Sequence, residues 1–507
     1  METVKETSGK KTAVLYYGLP VLGTLFCLWY IKRATCDIVY TDYIRLVNSY
    51  LPDVWNPEKF FVPDVLTRIP IHYLGRIINV ELFGYSTTFD MALGAIGLGL
   101  SGLVLGVYCR KQKVGLVWFA FLMFLLFGLD KWEMLTNGTG WGHFMAFAGF
   151  YYHYLVFDRV LYGHEKKHDR VRLLVLPFMI TLGMAGPYCA VYSVVMVLAY
   201  GAALVMRCRD MARGAAREMR RSGVAPDSRF WLAGIISVII PLLLYMWSNS
   251  YAIEDHAGAV DIGLMELVGS APSFFPRFLL KSLASMVVGG ETLTNWIADG
   301  VAGDGTVYLI GGLLAAGYLF ALALNWKYRL YERTLLPLMM LFAGMGNHGI
   351  VLISRYIFVK ENYGMSSRYA LQYQAGILGI VLTFALVWKC RSAAREGKAV
   401  QRHVDRDVQR RTGNLQLLTR MAAVLICLVL LVGHGYTNYV EWKMAPYREA
   451  YGRNIEAVAV QFESVSDEVL RKTFDYRTSR PDSGAKVRSA LTILKENGWN
   501  VFGRSEE

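Results

Sequence analysis

Charged residues are scarce in this chain: 18% of its 507 residues are Asp, Glu, Lys or Arg, whereas 54% are hydrophobic. A soluble chain of this length would form two or three domains and carry more surface charge. The seven cysteines are scattered and form no CxxC pair, which argues against a disulfide framework or a cysteine metal site. Only 14 prolines occur, too few to indicate long disordered linkers. These absences favour a membrane protein.

The apolar residues fall in runs of roughly 17–25, the length at which a helix crosses the hydrocarbon core. Backbone groups in lipid must pair within their own segment, so such runs span as helices. The sequence therefore predicts an all-α polytopic membrane protein with about 11 transmembrane helices. They are expected near residues 12–31, 87–108, 114–129, 142–161, 172–186, 188–206, 229–248, 306–324, 334–357, 369–388 and 420–437.

The net charge of +13 comes mostly from short connections between these runs. This placement is typical of cytoplasmic loops and argues against a nucleic-acid partner. The basic connections all fall on one side: 110–113, 164–172, 207–229, 327–333 and 389–420. We therefore expect a cytoplasmic N-terminus and an extracytoplasmic C-terminus, in a bacterial inner membrane.

Two domains are predicted, a transmembrane domain over 1–438 and an extracytoplasmic helical tail over 439–507. The long outer loops of the first domain are 32–86 and 249–305. Aromatic and basic residues alternate within 60–76, which favours interfacial helices in the first loop. The tail has a packing face at helical spacing, formed by Val487, Leu491 and Leu494.

Two acidic residues follow the first predicted span, in the stretch Cys36-Asp37-Ile38-Val39-Tyr40-Thr41-Asp42-Tyr43-Ile44-Arg45. A carboxylate just outside the membrane interface stays ionised and can act as a general base. The alternative is that Asp37 and Asp42 only solvate the start of a loop. The sequence leaves both interpretations open.

Three cations surround the predicted outer turn between the ninth and tenth spans: Arg355, Lys360 and Arg368. Cations are not expected at an outer helix end, and an ionisable side chain at bilayer depth indicates function. Guanidinium groups bind phosphate oxygens in a bidentate manner, so a phosphate at headgroup depth would suit them. The alternative is snorkelling to lipid headgroups.

Other motifs are weaker. His164-Glu165-Lys166-Lys167-His168 has HExxH spacing, but it lies in a basic connection that would repel zinc, so we predict no metal site there. Glu254 and Asp255 form an outer acidic cluster suited to an acceptor or a divalent ion. We assign Tyr43, Arg45, His72, Tyr369, Glu254 and Asp255 to the walls of a substrate cavity.

This layout resembles the GT-C class of membrane glycosyltransferases, which take a sugar from a polyprenyl-phosphate carrier. In that class a long outer loop follows the first span, has an essential acid near its start, and continues into interfacial helices. The stretch Thr41-Asp42-Tyr43-Ile44-Arg45 is similar to the acid-plus-aromatic stretch of some members. Many members carry adjacent acids, whereas Asp37 and Asp42 are separated here. Which of the two is catalytic stays open.

The resemblance implies an inverting transfer to an extracytoplasmic glycan, lipid or protein acceptor. Asp42 or Asp37 would be catalytic, and Arg355, Arg368 and Lys360 would hold the donor phosphate. No cofactor is required, although a divalent cation is compatible. One alternative is a lipid-linked glycan polymerase or ligase, which usually has its main catalytic loop late in the chain. Another is a transporter or flippase, but no inverted repeat is visible.

Overall fold

A computed structural model describes residues 2–60, 69–212, 227–250, 258–398 and 406–503. Within these ranges the chain is all-helical and contains no β-strand, as predicted. The first half contains α1 Glu2–Ala34, α2 Asp42–Tyr50, α3 Pro70–Phe83, α4 Thr87–Lys111, α5 Leu116–Leu126, α6 Trp132–Thr136, α7 Trp141–Leu161, α8 Asp169–Ile180 and α9 Cys189–Ala212. The second half contains α10 Ser228–Asn249, α11 Leu264–Ser270, α12 Phe274–Ala284, α13 Gly290–Ala298, α14 Asp304–Lys327, α15 Leu336–Arg355, α16 Ala370–Lys398, α17 Arg406–Val460, α18 Asp467–Thr473 and α19 Ser483–Glu496.

Eight helical segments in the described part of the chain are long and apolar enough to cross a membrane, as an integral membrane protein requires. They are Ala13–Ala34, Thr87–Lys111, Asp169–Cys208, Ser228–Ser248, Asp304–Lys327, Leu336–Phe358, Ser367–Lys389 and Leu417–Val460. Large apolar side chains point outward from several of them, as lipid contact requires; examples are Leu22, Leu309 and Leu319, which are 60%, 77% and 66% exposed.

Three of the expected spans account for the difference between eight and about eleven. The predicted spans 172–186 and 188–206 form one segment, because α8 continues through a π-helical turn, Thr181–Ala185, towards α9. Helix α5 has 11 residues, a length of about 17 Å that is short for a core of about 30 Å. Helix α7 has 21 residues but is rich in aromatic and histidine side chains, so its composition departs from that of an apolar span.

Close helix contacts form the centre of the bundle, notably α4 with α7 and α15 with α16. Glycines on α4 allow this approach. A Cβ at Gly97 would lie 2.9 Å from the backbone nitrogen of Met145, and one at Gly106 would lie 2.2 Å from the carbonyl oxygen of Tyr16. A larger side chain at either position would therefore push α4 away from its neighbours.

The tail packs against the first loop in a second hydrophobic core. Val487, Leu491 and Leu494 are fully buried there, together with residues of α2 and of the chain near 474. The Thr41 amide donates to the Phe474 carbonyl at 3.0 Å, and the Asn500 amide donates to the Gly84 carbonyl at 2.8 Å. Helix α17 runs without interruption through the predicted boundary at 438, so the bundle and the tail are joined by continuous helix.

A matched pair of valines tests this second core. Val487→Ala removes a fully buried side chain, whereas Val469→Ala truncates one that is 45% exposed. We expect Val487→Ala to cost about 2 kcal/mol and to speed tryptic cleavage within 467–503. Val469→Ala should be cleaved at the wild-type rate. Equal cleavage of both variants would contradict the packing described.

Candidate functional site

The chain leaves α5 through a break that a buried lysine stabilises. The Lys131 side chain is fully buried, and its ammonium group donates to the carbonyl oxygens of Leu126 at 3.2 Å and Gly128 at 2.8 Å. It also pairs with the Asp130 carboxylate at 2.7 Å. These contacts satisfy backbone carbonyls that the end of a helix leaves without partners.

Side chains from two later helices complete the same break. The Gln374 amide on α16 donates to the carbonyl oxygens of Leu125 and Leu126 at 2.9 and 2.8 Å. The Asn438 side chain on α17 accepts from the Leu129 amide at 2.7 Å. A backbone break inside a bundle is tolerated only when its polar groups are paired. The pairing fixes where α6 begins, and with it Trp132 and Glu133.

A cavity of about 210 Å³ opens beside α6. Its walls come from the turn after α1, from α6, from the turn before α16, from α17 and from the chain after α18. We term it the polar cavity, and its polar lining residues are Thr35, Tyr40, Thr41, Glu133, Thr136, Asn137, Arg368, Arg448, Tyr451 and Asp475.

Arg368 lies among three carboxylates. Its guanidinium forms a short ion pair with Glu133, whose other oxygen accepts from the Ser367 hydroxyl at 3.0 Å. Asp42 and Asp475 also interact electrostatically with Arg368. Asp42 and Arg368 are distant in sequence but lie within electrostatic range of each other, although Arg368 already has a carboxylate partner.

Arg448 forms the opposite wall. Its guanidinium stacks on the Trp132 ring at 3.5 Å and pairs with Glu441 at 2.5 Å and Glu291 at 3.2 Å. Burial raises the pKa of the Glu291 carboxyl, and Arg448 opposes that shift. With its own charge matched twice, Arg448 supports the wall more than it offers a cation to a ligand.

Burial also raises the pKa values of two groups near Arg368. Burial raises the pKa of Asp475 above its ordinary value, Arg368 opposes this shift, and Glu133 reinforces it. Burial and the nearby Glu133 raise the pKa of Tyr40 to about 12. The two arginines that line the cavity are each paired with a carboxylate, so neither offers an unmatched positive charge to a ligand.

Arg355 differs from Arg368 because no described carboxylate pairs with it. It ends α15, its guanidinium lies over the Tyr369 ring at 5.8 Å, and its buried Nε makes no hydrogen bond to a described residue. Tyr188 is within electrostatic range of both Arg355 and Arg368. The two predicted phosphate ligands therefore lie close to each other, and Arg355 is the one with bonding capacity to spare.

Asp37 has a structural role at the start of α4. Its carboxylate accepts from the Thr87 amide at 2.6 Å, the Thr87 hydroxyl at 2.8 Å and the Thr88 amide at 3.3 Å. These bonds cap the first turn of α4. The Asn500 side chain approaches the same oxygen at 3.4 Å. Asp37 thus joins the first loop, α4 and the tail.

The remaining predicted residues are dispersed. Tyr43 is buried and donates to Asp90 at 2.9 Å. His72 is buried against Trp141 and lines a separate pocket of about 10 Å³, and burial lowers its pKa well below the ordinary value. Arg45 is half-buried on α2.

The outer turn and the second loop contribute less to the polar cavity. Lys360 is exposed and does not line it, and Tyr369 is buried beneath Arg355. Glu254 and Asp255 lie outside the described residues. Within the described ranges no three His, Cys, Asp or Glu side chains are arranged to hold a metal ion.

Sequence reasoning missed Glu133, Arg448 and Asp475. The charged run Asp130-Lys131-Trp132-Glu133 directly after an apolar segment was a usable signal, because ionisable residues at membrane depth indicate function. Arg448 and Asp475 carried no such signal. Asp475 reaches the cavity because the tail packs against the first loop, and Arg448 reaches it because α17 packs beside Tyr30 of α1 and Trp132 of α6.

No family model matches this chain, and neither a curated protein nor a solved structure matches it. The fold and the site define a class of protein, an all-helical integral membrane protein with a charged cavity at one end of its bundle.

Substitution of Asp37 and of Asp42 should have different effects on thermal stability. Asp37→Asn weakens the cap of α4 and should cost about 1–2 kcal/mol, lowering the apparent Tm in detergent by several degrees. Asp42→Asn should leave Tm near the wild-type value, because Asp42 is half-exposed and caps no other helix. A larger loss in Asp42→Asn would contradict these assignments.

The break after α5 should depend on Lys131. Lys131→Met removes the cation and leaves Asp130 buried without its counter-ion, at an expected cost of about 3–5 kcal/mol. The double variant Asp130→Asn/Lys131→Met removes both charges and should recover part of the lost Tm. If the double variant is no more stable than Lys131→Met, the loss of stability does not come from leaving Asp130 without its counter-ion.

Proposed function

We propose that this protein is a membrane glycosyltransferase that transfers a sugar from a polyprenyl-phosphate carrier to an extracytoplasmic acceptor. Asp42 acts as the general base, and Arg355 holds the donor phosphate. The observation that carries the proposal is that Asp42, after the first span, lies within electrostatic range of Arg368. Arg368 and Arg355, on either side of the turn between α15 and α16, both lie within electrostatic range of Tyr188.

The distribution of loops supports an extracytoplasmic location for this end. The connections after α4 and α14 meet at the opposite end, where the Asp158 carboxylate near the C-terminus of α7 accepts from the Thr334 hydroxyl at 2.8 Å. There the Lys389 ammonium group also donates to the Gln112 carbonyl. These connections belong to the basic set, which favours the cytoplasm. The polar cavity would then face outside.

The contacts also favour Asp42 over Asp37 as the base. Asp37 is engaged by three donors of α4, whereas Asp42 is half-exposed at the start of α2, near Arg368. A base must reach the proton of its substrate, and a capping carboxylate is not available for that. Asp37 would hold the loop that presents Asp42.

The transfer follows from these roles. Asp42 takes the proton from an acceptor hydroxyl, and the oxygen attacks the anomeric carbon of the donor sugar with inversion. The bond between that carbon and the phosphate oxygen breaks, and the polyprenyl phosphate leaves with the electron pair. Arg355 stabilises the charge that develops on the leaving phosphate. Glu133 holds Arg368 beside the reacting groups.

Release of polyprenyl phosphate from a panel of polyprenyl-phosphate hexoses and pentoses tests the proposal in purified, reconstituted protein. Asp42→Asn should lower the rate by about 10²–10⁴, and Arg355→Gln by about 10²–10³. Lys360→Gln is the matched control, because it removes an exposed cation near the same turn and should retain the wild-type rate.

Wild-type rates in both Asp42→Asn and Arg355→Gln would overturn the site. Consumption of pyrophosphate-linked oligosaccharides alone would instead favour a glycan polymerase or ligase. Movement of a labelled donor across the bilayer without its consumption would favour a flippase. Asp37→Asn serves as a fold control, since its effect should follow the amount of folded protein.

A further inference from the structure

A second, larger cavity lies on the side of the bundle, between α4, α7 and α8. It has a volume of about 670 Å³ and is lined mainly by apolar side chains. These include Leu103 and Val107 of α4, Met145 and Leu155 of α7, and Leu176 of α8. We term it the lateral groove. None of the residues assigned to the polar cavity lines it.

One end of the lateral groove is basic, where Arg159, Lys166 and Arg172 join its wall. The buried Asp169 carboxylate accepts from Arg159 at 2.8 and 2.9 Å and from Arg172 at 2.8 Å. One carboxylate therefore serves two guanidinium groups. Among the described residues, no carboxylate forms an ion pair with the Lys166 ammonium group. The end of the groove thus has an excess of positive charge.

The length of the groove matches one hydrocarbon chain. Met145 and Arg159 are 14 residues apart on α7, a distance of about 21 Å along the axis. An apolar channel of that length covers more than half of a hydrocarbon core of about 30 Å. A lipid with its phosphate at the basic end could lay one extended acyl chain along it.

We propose that the lateral groove binds an anionic glycerophospholipid of the leaflet next to the basic loops. Its phosphate pairs with Lys166 and Arg172, and one acyl chain lies between α4, α7 and α8. A zwitterionic lipid would match the apolar wall but not the excess charge. This inference does not depend on the proposed function.

The position of the charges argues against the carrier lipid as the occupant. Arg159 lies in the last turn of α7, at its C-terminal end. The polar cavity lies near the other end of this helix, where Asn137 precedes its first turn. A phosphate at the basic end would be separated from Arg355 by the length of the helix. The groove therefore suits a lipid that supports the fold rather than one that reacts.

Lipid retention by the purified full-length protein tests the proposal, with native mass spectrometry as the readout. Wild type should retain phosphatidylglycerol over phosphatidylcholine, and Lys166→Gln/Arg172→Gln should lose roughly tenfold of that preference. Asp169 keeps its Arg159 partner in this variant. The control Lys327→Gln/Arg329→Gln removes two charges at the same end of the bundle, outside the groove, and should behave as wild type. Leu103→Trp should fill the groove and reduce retention of both lipids.

Three results would overturn the assignment. Equal retention of the two lipids by wild type would show that the basic end of the groove does not select an anionic headgroup. An equal loss in the groove variant and in its control would show a general effect of surface charge. Preferential retention of undecaprenyl phosphate over phosphatidylglycerol would assign the groove to the carrier.

Discussion

The pairing of backbone groups at the break after α5 is the constraint on which the site depends. A helix that stops inside a bundle exposes carbonyl and amide groups to an environment that cannot hydrate them. Lys131, Gln374 and Asn438 supply the partners from three parts of the chain. Because two of these side chains belong to α16 and α17, the break forms only when those helices are in place. Glu133, five residues after Gly128, is therefore positioned by the whole bundle.

The electrostatics of the polar cavity follow from that placement. Glu133 neutralises Arg368, and Arg448 is matched by Glu441 and Glu291. Arg355, which does not line the cavity, has no described carboxylate partner. An incoming phosphate would pay the desolvation cost of one partly buried guanidinium rather than displace an existing carboxylate. Asp42 adds a negative group within electrostatic range of Arg368.

Particular residues show how far sequence reasoning reached. It selected Asp42, Arg355 and Arg368 because carboxylates and guanidinium groups near an interface are costly without a role. Asp42 lies within electrostatic range of Arg368, and the catalytic role of these residues stays a prediction. It could not separate Asp37 from Asp42, since capping depends on where the first turn of α4 lies in space. It also placed His72 and Tyr43 in the same cavity, whereas they pack against Trp141 and Asp90. Adjacency along the chain does not specify which way a side chain faces once a loop has folded.

The sequence by itself determined that this is an all-helical membrane protein, because long apolar runs can satisfy their backbone in lipid only as helices. It also determined the packing face of the tail, since Val487, Leu491 and Leu494 share one side of any helix that contains them. Tertiary structure alone decided that this face covers the first loop, and that Asp475 and Arg448 reach the polar cavity. The physical reason is that helical periodicity and hydropathy act over a few turns. Contacts between residues hundreds of positions apart depend on which helices become neighbours.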